Sequence, residues 1–195
     1  MNSKIEEMRL KLIHELDDMR YQHTLGVMYT AASMAMRYGE DIEKALIAGL
    51  LHDCAKCIPA LEKIEMCEKN GIEISETEAK NPGLLHAKLG AFLAEKEYGV
   101  EDLDILMSIK SHTTGRPSMS LLEKIIYIAD YMEPGRKELS NMADVRKLAF
   151  EDIDKCLYRI LKDSLVYLQS LNRVIDPMTE ETYNYYKAIM EGELA

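Results

Sequence analysis

Glycine and proline are scarce in this chain, ten and five in 195 residues, and there is no serine- or proline-rich stretch and no internal repeat. That excludes a flexible linker or a Pro-rich recognition segment, and a single domain is the organisation this length favours. Long apolar runs are missing as well. None approaches the roughly 20 residues needed to cross a bilayer, and Met1 to Leu25 carries too many charges to hold the apolar segment of a secretory signal. A cytoplasmic protein with no membrane partner is the expectation. Cysteine is thin: Cys54, Cys57, Cys67 and Cys156 do not form the dense framework of a small secreted domain, so reduced thiols are expected. Cys54 and Cys57 have C-x-x-C spacing, but a structural zinc site needs two further close ligands and a thioredoxin-like site needs a preceding strand. Positive charge is also in deficit, with 24 Lys and Arg against 34 Asp and Glu for a net charge of −10. Nucleic acid is therefore not an expected partner, because such domains carry a basic stripe. A small anion could bind only where metal ions and a few basic side chains make a local positive cluster.

What remains is rich in Leu, Ala, Met, Glu and Lys, all strong helix formers, and 47% of the residues are hydrophobic. An all-α, single-domain helical bundle follows. Ser3 to about Met19 is amphipathic, with Ser3 and Glu6 spaced as a capping box. A second helix runs from about Tyr21 to Tyr38 and stops at Gly39. Asp41 caps a third, apolar nearly all round and so central, that leads into His52-Asp53 and ends before Pro59. Pro59 to Lys69 reads as a short helix, Ile72 to Asn81 as a polar connection, and Asn81-Pro82-Gly83 as a turn. Further helices fit Leu84 to Tyr98, Glu101 to Ser111, Ser120 to Tyr131, Met142 to Ser170 as one helix or two, and Glu180 to Met190. Asp176 and Pro177 fit an N-cap followed by the first helical residue.

Histidines and aspartates are strung over about a hundred of these residues: His23, the pair His52-Asp53, His86, His112 and Asp130. Side chains drawn from several helices to one point are how bundles build metal sites, and a nitrogen and carboxylate set without thiolate suits Fe, Mn, Co, Zn or Mg. For any one histidine the bland alternative is a hydrogen-bonded core residue, and His14 is read as surface. The neighbours shift the balance. Arg20 lies one turn before His23, Lys56 one turn after His52-Asp53, and Arg136 follows Asp130 across Pro134-Gly135. Such cations would balance the charge of a phosphoryl group on a metal, although each is equally at home on a solvated helix face.

At these positions the chain resembles the HD-domain metal-dependent phosphohydrolases, and more closely the bacterial HD-domain family of symmetrical bis(5'-nucleosyl)-tetraphosphatases. The segments that carry the resemblance are Arg20 to Val27, Gly49 to Lys56 (HDxAK), His86 to Gly90, His112 to Gly115 (HTTG), Ile128 to Arg136 (IADYxEPGR) and Ile175 to Thr179 (IxPxT). The chain departs from the family at Asp176, where histidine more often precedes the proline. The resemblance implies hydrolysis of diadenosine tetraphosphate to two ADP by a metal-activated water. It implies that His23, His52, Asp53 and Asp130 hold a divalent ion, iron first and Mn, Co, Ni, Zn or Mg as alternatives. His86 and His112 would form a second-metal or phosphate subsite. Asp53, Lys56 and Arg136 would be the catalytic residues and Arg20, Lys56 and Arg136 the phosphate clamp. Nucleotide contacts would come from Arg20, His23, His86, His112, Asp130, Arg136, Arg173 and Ile175, with residues 142–190 completing the pocket around a motif core of residues 20–136. Other nucleotides or guanosine alarmones remain open as substrates, as does a non-catalytic nucleotide-binding module. A homodimer is compatible with the sequence.

Overall fold

Most helices of this protein start where a side chain can take up the free N–H groups of a first turn. In the computed structural model, which describes residues 3–137, 140–171 and 174–193, all regular structure among the described residues is helical. The helices are α1 (Ser3–Leu12), α2 (Asp18–Tyr38), α3 (Ile42–Leu51), α4 (Ala60–Lys69), α5 (Glu76–Lys80), α6 (Leu85–Tyr98), α7 (Leu103–Ser111), α8 (Leu121–Met132), α9 (Met142–Glu151), α10 (Ile153–Ser170) and α11 (Pro177–Met190), with a 3-10 turn at Pro82–Leu84 before α6. None of them is long and apolar enough to cross a membrane.

Several boundaries move from their expected places, and the caps explain why. Asp17 accepts from the Arg20 N–H at 2.8 Å and starts α2 at Asp18, so α1 ends at Leu12 and Met19 stands exposed in the first turn of α2. Ser3 is itself helical, and Glu6 takes a bond from Arg9 instead of closing a capping box. The polar connection after α4 contains α5, started by a reciprocal capping box between Ser75 and Glu78. The S-x-x-E signal was present in the sequence. Asp102 and Ser120 cap α7 and α8 one or two residues later than expected. The Met142 to Ser170 span is two helices. Asp152 leaves the helical region at φ −151°, ψ 103°, ending α9 while its side chain caps α10. Asp176 caps α11 with Pro177 as its first residue, so this helix begins three residues before Glu180.

The central position expected for the third helix holds: α3 packs on α1, α2, α7 and α8, and Ala45, Ala48, Leu50 and Leu51 are fully buried. It approaches α2 closely at Gly49, where an added Cβ would lie 2.8 Å from Met28 Cα and 3.1 Å from Met28 N. Backbone cannot step aside as a flexible side chain can. Gly49→Ala should therefore wedge α2 from α3 and cost about 1–3 kcal/mol, the usual cost of overpacking. A urea or thermal melt reads this directly, and a midpoint equal to that of the native protein would show that the helices separate freely.

Candidate metal centre

Four imidazoles meet in the middle of the bundle, and each is locked in the same tautomer. His52 Nδ1 donates to Gly49 O at 2.7 Å, His86 Nδ1 to Gly83 O at 2.6 Å, and His112 Nδ1 to Ile109 O at 2.7 Å. In each case the acceptor is the carbonyl three residues earlier, which a histidine at or near a helix end can reach in its own turn. His23, on α2, donates Nδ1 to Glu133 Oε1 at 3.0 Å. A carbonyl or carboxylate only accepts, so Nδ1 carries the proton and Nε2 keeps its lone pair. Burial pushes the His52 and His86 imidazoles down to about 4, which keeps both neutral at pH 7.

Those lone pairs converge with two carboxylates. His23 Nε2 lies 3.0 Å from Asp130 Oδ1, and His52 Nε2 lies 3.7 Å from the same oxygen and 3.6 Å from Asp53 Oδ2. Two sets, His23 with His52 and Asp130, and His52 with Asp53 and His112, each bring their donor atoms within 4.8 Å of one another. His23 Nε2, His52 Nε2 and Asp53 Oδ1 are buried without a hydrogen-bond partner. Each such atom costs about 1–3 kcal/mol. The two nitrogens, with Asp130 Oδ1 and Asp53 Oδ2 beside them, are what a cation would satisfy, and these donors fit a borderline or hard divalent ion, while Asp53 Oδ1 faces the His86 and His112 nitrogens. Burial pushes the Asp53 and Asp130 carboxyls up, but interactions with the groups around them, Arg136 beside Asp130 among them, hold both below the usual carboxylate range. Both are therefore ionised.

The second pair of imidazoles carries its own cation. His86 Nε2 and His112 Nε2 are 3.1 Å apart, a repulsive distance for two lone pairs, and Asp53 Oδ1 is 3.2 Å and 3.5 Å from them. The Lys56 ammonium lies 3.0 Å from His86 Nε2 and 3.6 Å from Asp53 Oδ1. The other two expected cations are likewise anchored on carboxylates. Arg20 Nη1 donates to Asp53 Oδ2 at 2.7 Å, and Arg136 donates Nε to Asp130 O at 2.8 Å and Nη2 to the Asp130 carboxylate. Lys56, Arg136, Asp130, His112, Thr113 and Tyr131 line a cleft of about 430 Å³, to which Met142 of α9 and Ser164 of α10 add a wall. At Thr113 it adjoins a second cavity of about 660 Å³, walled in part by Asp176, Pro177 and Met178. Ile175 is half-buried just before that wall, and Arg173 lies outside the described residues.

Two contributors escape the sequence. Glu133, at the C-terminal end of α8 and 2% exposed, orients His23 and also accepts from Gly135 N at 2.5 Å. Gly26 on α2 makes room for it, since an added Cβ there would sit 2.3 Å from Glu133 Oε2. Its place three residues after Asp130 was visible, but nothing local ties it to His23. Thr113 Oγ1 lies 3.2 Å from both His86 Nε2 and His112 Nε2. Cys54 and Cys57 belong to neither donor set, and both are free thiols.

The family model described as the HD domain matches residues 20–135, the stretch that holds all of these imidazoles and carboxylates. The chain belongs to the HD domain family. Among its HD relatives, the symmetrical bis(5'-nucleosyl)-tetraphosphatase of Bacillus subtilis (strain 168) is 43% identical over 171 residues, covering 88% of this chain and 91% of the relative. The protein of the same name from Staphylococcus aureus (strain NCTC 8325 / PS 47) is 35% identical, covering 93% and 94%. A Clostridium acetobutylicum crystal structure, described as a predicted HD superfamily hydrolase involved in NAD metabolism, superposes with a TM-score of 0.91 at 44% identity, over 94% of this chain and 97% of that one.

Proposed function

We propose that this protein is a metal-dependent phosphoanhydride hydrolase that cleaves diadenosine tetraphosphate symmetrically into two ADP. The observation that carries the reading is the set of buried, unpartnered donor atoms on His23, His52 and Asp53 beside a cation-flanked cleft, in a chain 43% identical to a protein named for that reaction. His23, His52, Asp53 and Asp130 would hold the ion, with iron the first candidate. When bound, it supplies Lewis acidity to a phosphoryl oxygen and lowers the pKa of a water. The chain's own groups do the rest. Asp53 is tied to Arg20 through Oδ2, which leaves Oδ1 to ligate or to orient a water. Lys56 and Arg136 face the cleft and meet the charge that develops on the phosphoryl oxygens. His86, His112 and Thr113, clustered within 3.2 Å of one another, would form a phosphate subsite or a second-metal site. The 660 Å³ cavity takes a nucleoside, so the first turn of α11 completes the nucleotide pocket that residues 20–136 begin.

Product analysis decides the bond. Chromatography of initial products from diadenosine tetraphosphate should show ADP alone, whereas equimolar ATP and AMP would reject symmetrical cleavage. A panel with a guanosine tetraphosphate alarmone and NAD separates the other nucleotide substrates. Faster turnover of either would displace the dinucleoside polyphosphate from its place.

Glu133 offers a separate check on the ion. A carboxylate that takes the second nitrogen of a ligating histidine raises its basicity and fixes its ring, and losing one typically costs 10- to 100-fold in metal affinity. Glu133→Gln should weaken the ion by about that much in competition with a chelator, with helical circular dichroism intact. Affinity equal to that of the native protein would remove Glu133 from the site.

A further inference from the structure

Arg116 is the one cation in the HTTG segment's continuation that the chemistry above leaves unused. It lies in the wall of the 660 Å³ cavity that adjoins the phosphate cleft at Thr113. Its guanidinium is bolted in its own plane: Nε donates to Glu123 Oε1 at 2.7 Å, Nη2 to Glu123 Oε2 at 2.6 Å, and Nη1 to Pro117 O at 3.1 Å. Glu123 cannot follow it outward. That carboxylate is 1% exposed, accepts from Ser111 Oγ at 2.8 Å and from Ser120 N at 2.7 Å, and is the capping-box residue of α8. Arg116 is thus unlike Lys56 or Arg136. It is held by a two-point ion pair on one edge of the guanidinium, and Nη1 is engaged in the same plane by Pro117 O. The side chain nevertheless stays 35% exposed. What it offers the cavity is chiefly a flat, positively charged face.

A fixed guanidinium plane is a surface on which a nucleobase stacks, by cation–π and dispersion attraction to the ring. The rest of the cavity suits the same guest. Leu84, Met107, Pro177 and Met178 supply apolar surface, and the volume falls in the range of small-molecule sites. The wall is held together: the Tyr186 hydroxyl of α11 accepts from Met119 N at 2.9 Å, and the tight turn at Gly115, φ +67°, lies where a Cβ would be 2.7 Å from Thr182 Cγ2. We propose that Arg116, clamped by Glu123, is the stacking platform for a purine base of the substrate, which makes it the residue that converts affinity for phosphate into affinity for a nucleotide. This inference rests on the nucleotide reading of the cleft given above.

The test uses binding by the metal-loaded protein, so that it does not depend on turnover. Affinities for ADP and for inorganic pyrophosphate are measured by calorimetry in the native protein, Arg116→Lys, and the pair Arg116→Ala with Glu123→Gln. Lysine keeps the charge beside Glu123 without the plane, and the double variant leaves no unpaired carboxylate in the core, so the two variants load the fold in different ways. Loss of stacking is expected to weaken ADP about tenfold, within the range for aromatic platforms, while pyrophosphate affinity is unchanged. Equal losses for ADP and pyrophosphate would assign Arg116 a general electrostatic role and overturn the proposal. So would unchanged ADP affinity in a folded variant, or native protein that binds ADP no more tightly than pyrophosphate. Failure of the native protein to hydrolyse diadenosine tetraphosphate, with the ADP preference and its loss both present, would instead sink the proposed reaction and leave the base platform standing.

Discussion

Asp53→Ala and Asp130→Ala should each empty the metal centre and lower turnover by more than about a thousandfold, because the ion that supplies the Lewis acid leaves with its ligand. Both should keep their helical circular dichroism. Asp53 stands in the turn after α3 and Asp130 near the end of α8, and neither caps a helix. Their losses differ in detail. Without Asp53, Arg20 loses its partner and His86 and His112 keep their lone pairs 3.1 Å apart beside Lys56 and the Thr113 hydroxyl. Without Asp130, His23 loses the oxygen 3.0 Å from its Nε2 and Arg136 its carboxylate. Metal content by mass spectrometry, measured alongside single-turnover rates, reads both effects. Native rates from a metal-stripped variant would show that the ion and its assigned ligands are not the catalytic centre.

The second large effect belongs to the cations of the cleft. Lys56→Ala and Arg136→Ala are expected to lower kcat/KM by on the order of tenfold to a thousandfold, as for other groups that meet charge developing in a transition state. In the proposed reaction each would act by two routes, through the phosphoryl oxygens and through the group it already holds: His86 and Asp53 for Lys56, Asp130 for Arg136. Lys147, exposed on α9 and 3.8 Å from Glu151, is the matched control, since a solvated pair is worth little. If Lys147→Ala and the two cleft variants gave the same kinetics, Lys56 and Arg136 would be surface charges and no more.

How far such a site is readable depends on the distance along the chain over which each contact acts. Caps and helix stops are local: Asp41 and Gly39 are decided within four residues, and the structure has them where the sequence places them, while the Asp176-Pro177 cap signal starts α11 three residues before the expected Glu180. The apolar circumference of α3 likewise announces a central helix, because burial on all sides needs no knowledge of the neighbours. The candidate residues were legible for a related reason, as imidazoles and carboxylates recurring in apolar helical segments stand out against the usual exposure of such groups. Local signals could still mislead where two competed. Asp152 and Asp17 each divided what amphipathic spacing ran together, because a side-chain cap offers the backbone an alternative to continuing the helix. The Ser75 to Glu78 box starts a short helix inside a segment whose polar composition alone reads as a connection.

By itself, then, the sequence determined a helical protein with a central apolar helix, the identities of the imidazoles and carboxylates, and most places where helices begin and end. Only the tertiary structure decided which atoms of those residues meet. His23 is oriented by Glu133, 110 positions along the chain, and that pairing exists because α2 and α8 pack together, with Gly26 leaving room for the carboxylate. The same holds for His86 against His112, for each cation on its particular carboxylate, and for Arg116 held flat by Glu123. Helix spacing in sequence carries a residue's own face and its own turn. The crossing of two helices is set by how their surfaces interlock, as at Gly49 on the Met28 backbone, and no single segment encodes that interlocking.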